Sequence, residues 1–318
     1  MKNSVKKSIN FFKLLSDKIF LFVFLAWSLQ LGACSLFASE VKEPNVAGMF
    51  YPDNPTQLAQ TVDDFIEKAA PEPMPGNIFA VISPHAGYGY SGQVAAYGYK
   101  LVKDRPYTTV VVIGSSHHYA FQGISVYPQG AFRTPLGDLP IDEEFAGLLL
   151  NKIPEAIFQP LAFAKEHSVE VQLPFIQRVL PKVKIVPVIM GECSLEICQK
   201  FAQLLKEAIG KRRDVLLVAS TDMYHGYDYE ETEMIDTLTL GFLETMDAQG
   251  LYFGLKDAKL QLCGGYGVVS TLIAAKELGH NKIKILHYTN SAQVTGVKKK
   301  GAWIVGYSSG VIDAPESS

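Results

Sequence analysis

Four separated segments of the chain carry side chains able to bind a metal, move a proton or attack an electrophile. They are His85 in SPHAGY, the pair His117 and His118 in GSSHHY, Asp222 with His225 in STDMYHGY, and Cys263 in LCGGYG. Imidazole, carboxylate and thiol groups together suit a transition-metal centre or a nucleophile with its base. Each group also has an ordinary reading. His85 fits a core histidine bonded to a backbone carbonyl, Asp222 a helix cap, and Cys263 a buried structural thiol. Adjacent residues after a strand point in different directions, so one of His117 and His118 faces a shared pocket. His117, nearer the strand, is the expected one. Asp222 and His225 lie three residues apart and share a face if the segment is a helical turn. The carboxylate would then fix the imidazole tautomer and raise its basicity, as a general base requires. Cys263 precedes Gly264, Gly265 and a helix, whose N-terminus favours the thiolate. In KEHSVEVQLP, His167 and Glu170 stand at helical spacing. Either they line the same pocket, or Ser168 caps the helix and His167 is solvated. His280 and His287 read as structural.

The elements that must position these groups follow from periodicity. The first three segments each come directly after a short β-branched run, FAVIS, VVVIG or VLLVAS. In open α/β sheets such strand ends converge on one crevice, the usual ligand site. Further strand-like runs (GISVY, VKIVPVIM, KIKILHY, AWIVGY) alternate with amphipathic helical ones such as TQLAQTVDDFIEKAA and SLEICQKFAQLLKEAI. Continuous apolar strands separated by such helices predict an α/β fold, a sheet buried on both faces in three layers, α/β/α. VEVQLPFIQRVL reads as one helix. From Val41 onward no repeat, linker or low-complexity stretch interrupts the pattern, so residues 41–318 are expected to form one domain. Lys298, Lys299 and Lys300 read as a solvated turn before the last strand.

The chain has 318 residues, 48% hydrophobic and 19% charged, with a net charge of −3. The first 33 residues hold five lysines against Asp17, a surplus of four positive charges, so the remainder carries seven negative ones. An acidic body offers no footprint for a phosphate backbone, which argues against nucleic acid as a partner. Residues 1–40 read as an export leader, with a lysine-bearing start and an apolar run from Ile19 to Ala33. The run ends in Leu31-Gly32-Ala33-Cys34, which resembles the bacterial lipobox and makes Cys34 the expected lipidation site. The alternatives are an uncleaved anchor and cleavage after Ala38. All three place the fold outside the cytosol or at the membrane. Cys193 and Cys198 are expected as packed free thiols, with a disulfide as the alternative.

The motifs PNVAGMFYP, SPHAGYGYSG, GSSHH, FRTPLGD, EHSVEVQLPF, STDMYH and LCGGYG, in this order from Val41 to Val311, resemble the Memo family. That family includes the bacterial proteins called AmmeMemoRadiSam system protein B. The resemblance implies a fold similar to class III extradiol dioxygenases (LigB-like), a three-layer domain with a central mixed sheet. It implies His85, His117 and Cys263 as metal ligands, with Asp222 and His225 as the accompanying acid and base. Two imidazoles and a thiolate favour copper, iron or zinc over magnesium or calcium. The expected function is a metal-dependent oxidoreductase holding copper or iron, with zinc possible by donor type. The cysteine stands where the dioxygenases have a glutamate, which argues against ring cleavage. The alternatives are a protein that binds a small molecule or peptide without turnover, and metal-free catalysis by Cys263 with His225 as base. The resemblance also implies radical-SAM and AMMECR1-like partners. Those are cytoplasmic, in conflict with the leader, and the leader decides the expected location.

Overall fold

The computed structural model describes residues 41–313. The leader, with Cys34, lies outside the described residues. Among the described residues no helix is long and apolar enough to cross a membrane. The strands in chain order are β1 (Val41–Lys42), β2 (Ile78–Ser83), β3 (Thr109–Ser115), β4 (Ile124–Val126), β5 (Ala131–Thr134), β6 (Gly137–Pro140), β7 (Ala156–Ile157), β8 (Lys184–Met190), β9 (Val215–Ser220), β10 (His225–Gly226), β11 (Ile283–Asn290) and β12 (Ile304–Asp313).

Four strands run parallel at the centre in the order β2, β9, β3, β8. Every residue of β2, β3 and β9 is buried, as their unbroken aliphatic runs require of a sheet covered on both faces. Antiparallel strands extend both sides: β12 beside β2, itself carrying β10 and β11, and β4 beside β8. The nine-stranded sheet is therefore mixed. Helices 55–68, 88–102 and 173–179 pack together in one layer, and helices 143–149, 195–209 and 265–277 in the other. This is the three-layer α/β/α architecture. A small second sheet, β1–β5–β6, uses the FRTPLGD hairpin, whose ends Arg133 and Asp138 join by paired hydrogen bonds of 2.7 and 3.0 Å.

Local signals explain the helix boundaries. Pro55 opens helix 55–68, and the Asn54 side chain accepts from the Gln57 N–H. Ser194 caps helix 195–209 in the same way, and Gly210, at φ 54°, ends it. The run VEVQLPFIQRVL is not one α-helix. A 3₁₀ turn at Glu170–Gln172 precedes the helix Leu173–Val179. Pro174 has no N–H to bond the Glu170 carbonyl, so the α ladder cannot run through this point. Cys193 and Cys198 are free, buried thiols.

Candidate metal centre

His85, His117 and Asp222 each stand two residues beyond the carboxyl end of a central strand, β2, β3 and β9 respectively. Parallel pairing brings those ends level, with Ser83 opposite Ser220 and Ile113 opposite Ala219. His167 arrives from a different loop. Gly114 makes this possible, because a Cβ there would lie 2.3 Å from the Ser168 Oγ. In the space so left, Ser168 Oγ accepts the Ser115 N–H at 3.2 Å and donates to the Ser115 carbonyl at 2.9 Å. The loop is thereby fixed to the end of β3, and the His167 ring stacks on His117 with centroids 4.6 Å apart. The His85 ring lies 5.2 Å from His117 and 5.4 Å from His167, edge-on to both. One nitrogen from each of the three rings lies within 4.8 Å of the other two, an arrangement that can hold a metal ion.

Hydrogen bonding decides which nitrogens of His85 and His117 carry the proton. Tyr99 donates its only hydroxyl proton to Gln172 Oε1 at 2.8 Å, which fixes the amide orientation. Gln172 Nε2 then donates to the Pro84 carbonyl at 2.9 Å and to Ser220 Oγ at 2.8 Å. Ser220 spends its proton on the Ser168 carbonyl at 2.6 Å. Its remaining lone pair accepts from His85 Nδ1 at 2.9 Å, so the His85 proton sits on Nδ1 and the Nε2 lone pair faces the Cys263 sulfur at 3.0 Å. A carboxylate makes the same assignment for His117, whose Nδ1 donates to Glu166 Oε1 at 2.9 Å. Glu166 is buried, and it also accepts the N–H groups of His117, His167 and Ser168 at 2.6, 2.9 and 2.8 Å. Burial opposes its charge, yet the bonds and charge of His117 hold its carboxyl well below the usual range. Burial also works against a charged His117, but the Glu166 bond and charge raise it overall, which makes Nε2 a stronger donor.

Burial, with the neighbouring imidazoles, pulls His85 well below its ordinary value, and burial takes His167 down to about 4. Both are neutral at physiological pH, the state that binds metals. Imidazole nitrogens that converge in this way are the commonest ligands of transition-metal ions. This donor set fits an ion.

Cys263, expected as the third ligand, is not in the mutually close set, although its sulfur lies 3.0 Å from His85 Nε2. Gly264 lets it approach, since a Cβ there would meet the Ser220 carbonyl at 2.2 Å. Burial and the Asp222 charge push the Cys263 thiol up, overriding the helix N-terminus expected to favour its thiolate. The expected contact between Asp222 and His225 is absent. Thr221 to Tyr224 form no helical turn, and His225 lies in β10, paired to Val305. The Asp222 carboxylate is taken instead by the backbone N–H groups of His85, at 2.7 Å, and Ala86. Burial raises it to about 7, against those bonds. Burial lowers His225, the Met223 backbone opposing and His117 adding to the effect.

Glu170 does not line this site. It is buried and accepts from Asn45 N, Val46 N and Tyr51 Oη at 2.6, 2.9 and 2.7 Å, pinning the turn that sets Phe50 4.9 Å from the His167 ring. The residues that sequence reasoning passed over are Glu166, Ser220 and Gln172. Glu166 had a signal, a carboxylate directly before His167 in KEHS. Ser220 and Gln172 had none, because their role exists only across the sheet. A cavity of about 300 Å³, walled by Ser115, Tyr119, Phe121, Tyr266 and Cys263, opens beside the centre.

The sequence profile of the family described as Memo-like protein matches residues 42–311. A MEMO1 family protein of Thermotoga neapolitana is 35% identical over 282 residues, covering 86% of this chain and 99% of its own length. One of Desulfurococcus amylolyticus is 35% identical over 268 residues, with 80% and 94% covered. Another, of Methanocaldococcus jannaschii, is 33% identical over 293 residues, with 86% and 100% covered. The chain belongs to the Memo family.

Proposed function

We propose that this protein is a metal-dependent oxidoreductase whose copper or iron ion is held by His85, His117 and His167, with the Cys263 thiol beside it. The observation that carries this reading is the convergence of three ring nitrogens, two of the rings oriented by bonds through Nδ1. A nearby sulfur favours soft or borderline metals over magnesium and calcium. When bound, such an ion supplies one-electron chemistry and a coordination position left open by only three imidazoles.

The chain's own residues do the rest. Glu166 stays anionic and orients His117, while Ser220 orients His85. Asp222, raised to about 7, holds or releases a proton near neutral pH at its carboxylate, beside the Cys263 sulfur that its own N–H contacts at 3.0 Å. His225, kept neutral, accepts a proton at its ring. Phe50 packs against the His167 ring, with centroids 4.9 Å apart. Purification under anaerobic conditions without added metal should give about one copper or iron per chain, lost in His167→Ala. That ion should undergo a reversible one-electron change on titration with ferricyanide and ascorbate. Zinc alone, or an ion silent to both reagents, overturns the reading.

A further inference from the structure

On the β12 side of the centre a second cavity, of about 400 Å³, is walled by Tyr90, Ser291, Thr295, Val297, Trp303 and Tyr307 among others. Three of these are large, apolar and open to solvent: Trp303 is 54% exposed, Val297 53% and Tyr90 49%. A contiguous apolar wall of this kind marks a ligand groove. None of its lining residues is charged. Its serine and threonine hydroxyls are already committed. Ser291 Oγ accepts the Val305 N–H at 3.1 Å and bonds Tyr307, and Thr295 Oγ1 donates to the Ser291 carbonyl at 2.8 Å while accepting from Val297 N at 3.3 Å. The groove also meets the centre. The Trp303 indole lies 5.8 Å from the His225 ring.

We infer that this groove binds the substrate, and that the substrate is a neutral small molecule built on an aromatic ring. A charged ligand would be desolvated there without a partner. With those serine and threonine hydroxyls occupied, stacking on Trp303 and Tyr90 is the recognition on offer, leaving the Tyr90 hydroxyl for one polar substituent. A ring held there presents its edge to His225. The inference rests on the oxidoreductase reading only for what happens to the ring after binding.

Trp303 is one of two tryptophans, and the other, Trp27, is in the leader. In the full chain carrying Trp27→Phe, fluorescence therefore reports on the groove alone. Titration with 4-nitrobenzyl alcohol, a neutral aromatic quencher, should quench saturably. The anion 4-nitrobenzoate should bind about ten-fold more weakly, and Tyr90→Ala should weaken the neutral probe about ten-fold. Quenching that rises linearly without saturation, equal or tighter binding of the anion, or no effect of Tyr90→Ala overturns the inference. Metal content is measured on the same samples. Saturable binding by a chain that takes up neither copper nor iron overturns the oxidoreductase reading alone, and a metal-loaded chain that fails to bind overturns this inference alone.

Discussion

The two ends of the central sheet both carry a hollow and a histidine, yet only one carries a candidate site. At the amino end, a cavity of about 380 Å³ is lined by Asn77, Phe79, Lys211, Arg212, Arg213 and His280, among others. His280 stacks on Phe79 at 4.2 Å and bonds the Asp313 carbonyl through Nδ1 at 2.9 Å, with no second imidazole beside it. The basic residues there have a structural role, because helices 195–209 and 265–277 end at this hollow and their carbonyl dipoles favour positive charge. At the carboxyl end the bonds are arranged the other way. Ser220 and Glu166 orient the His85 and His117 rings through Nδ1, and a nitrogen of each of the three rings lies within 4.8 Å of the others. Cavity size does not separate the two ends. What separates them is the convergence of three imidazole nitrogens at the carboxyl end.

The sharpest break of that comparison is to remove one ring from each end. His85→Ala or His167→Ala should lower copper or iron affinity by at least about 100-fold in anaerobic titration, while His280→Ala should leave it unchanged. Equal effects would erase the distinction. A smaller loss, about 10–100-fold, is expected for Glu166→Gln, because His117 keeps its ring but loses the carboxylate that raises its basicity. Unaltered affinity there would mean that the carboxylate only staples the loop. Next comes Ser220→Ala, which strands the Gln172 amide proton and the His85 Nδ1 proton. It should cost about 1–3 kcal/mol in denaturant unfolding and roughly ten-fold in metal affinity. A loss of stability alone would show that the His85 tautomer is set elsewhere.

The smallest effect on the metal, none, is expected for Asp236→Asn. Asp236 is buried, bonds none of the three imidazoles, accepts from Tyr224 N and Tyr288 Oη at 2.9 and 2.8 Å, and is raised by burial to about 6. Its folded value lies above its unfolded one, so between about pH 4 and 6 the folded state binds the extra proton. Stability should therefore fall as pH rises through that window, by on the order of 2 kcal/mol. Asp236→Asn should flatten that slope in denaturant titrations from pH 4 to 7. An unchanged slope would place the titrating group elsewhere.

Much of the fold was legible because strand ends are written locally. Unbroken β-branched runs gave β2, β3 and β9, and each put a chemical side chain two residues past its end. The small sheet was missed, since β1, β5 and β6 are short and half polar. The site was legible in its members more than in its bonds. Asp222 and His225 fit a helical turn by spacing, but the backbone N–H groups of His85 and Ala86 reach the carboxylate from a neighbouring strand, and β12 draws His225 into a ladder. Glu170 looked like a pocket residue at helical spacing from His167, and the turn at Val46 claims it. Such competition comes from residues 80 to 137 positions away, and spacing along one segment carries no trace of it.

The central claim is that three imidazoles share one ion, and X-ray absorption at the metal edge of protein loaded with copper or iron tests it most directly. The account predicts imidazole scattering from three nitrogens at about 2.0–2.1 Å, falling to two in His167→Ala. An oxygen-only shell, or a spectrum that His167→Ala leaves unchanged, would contradict it.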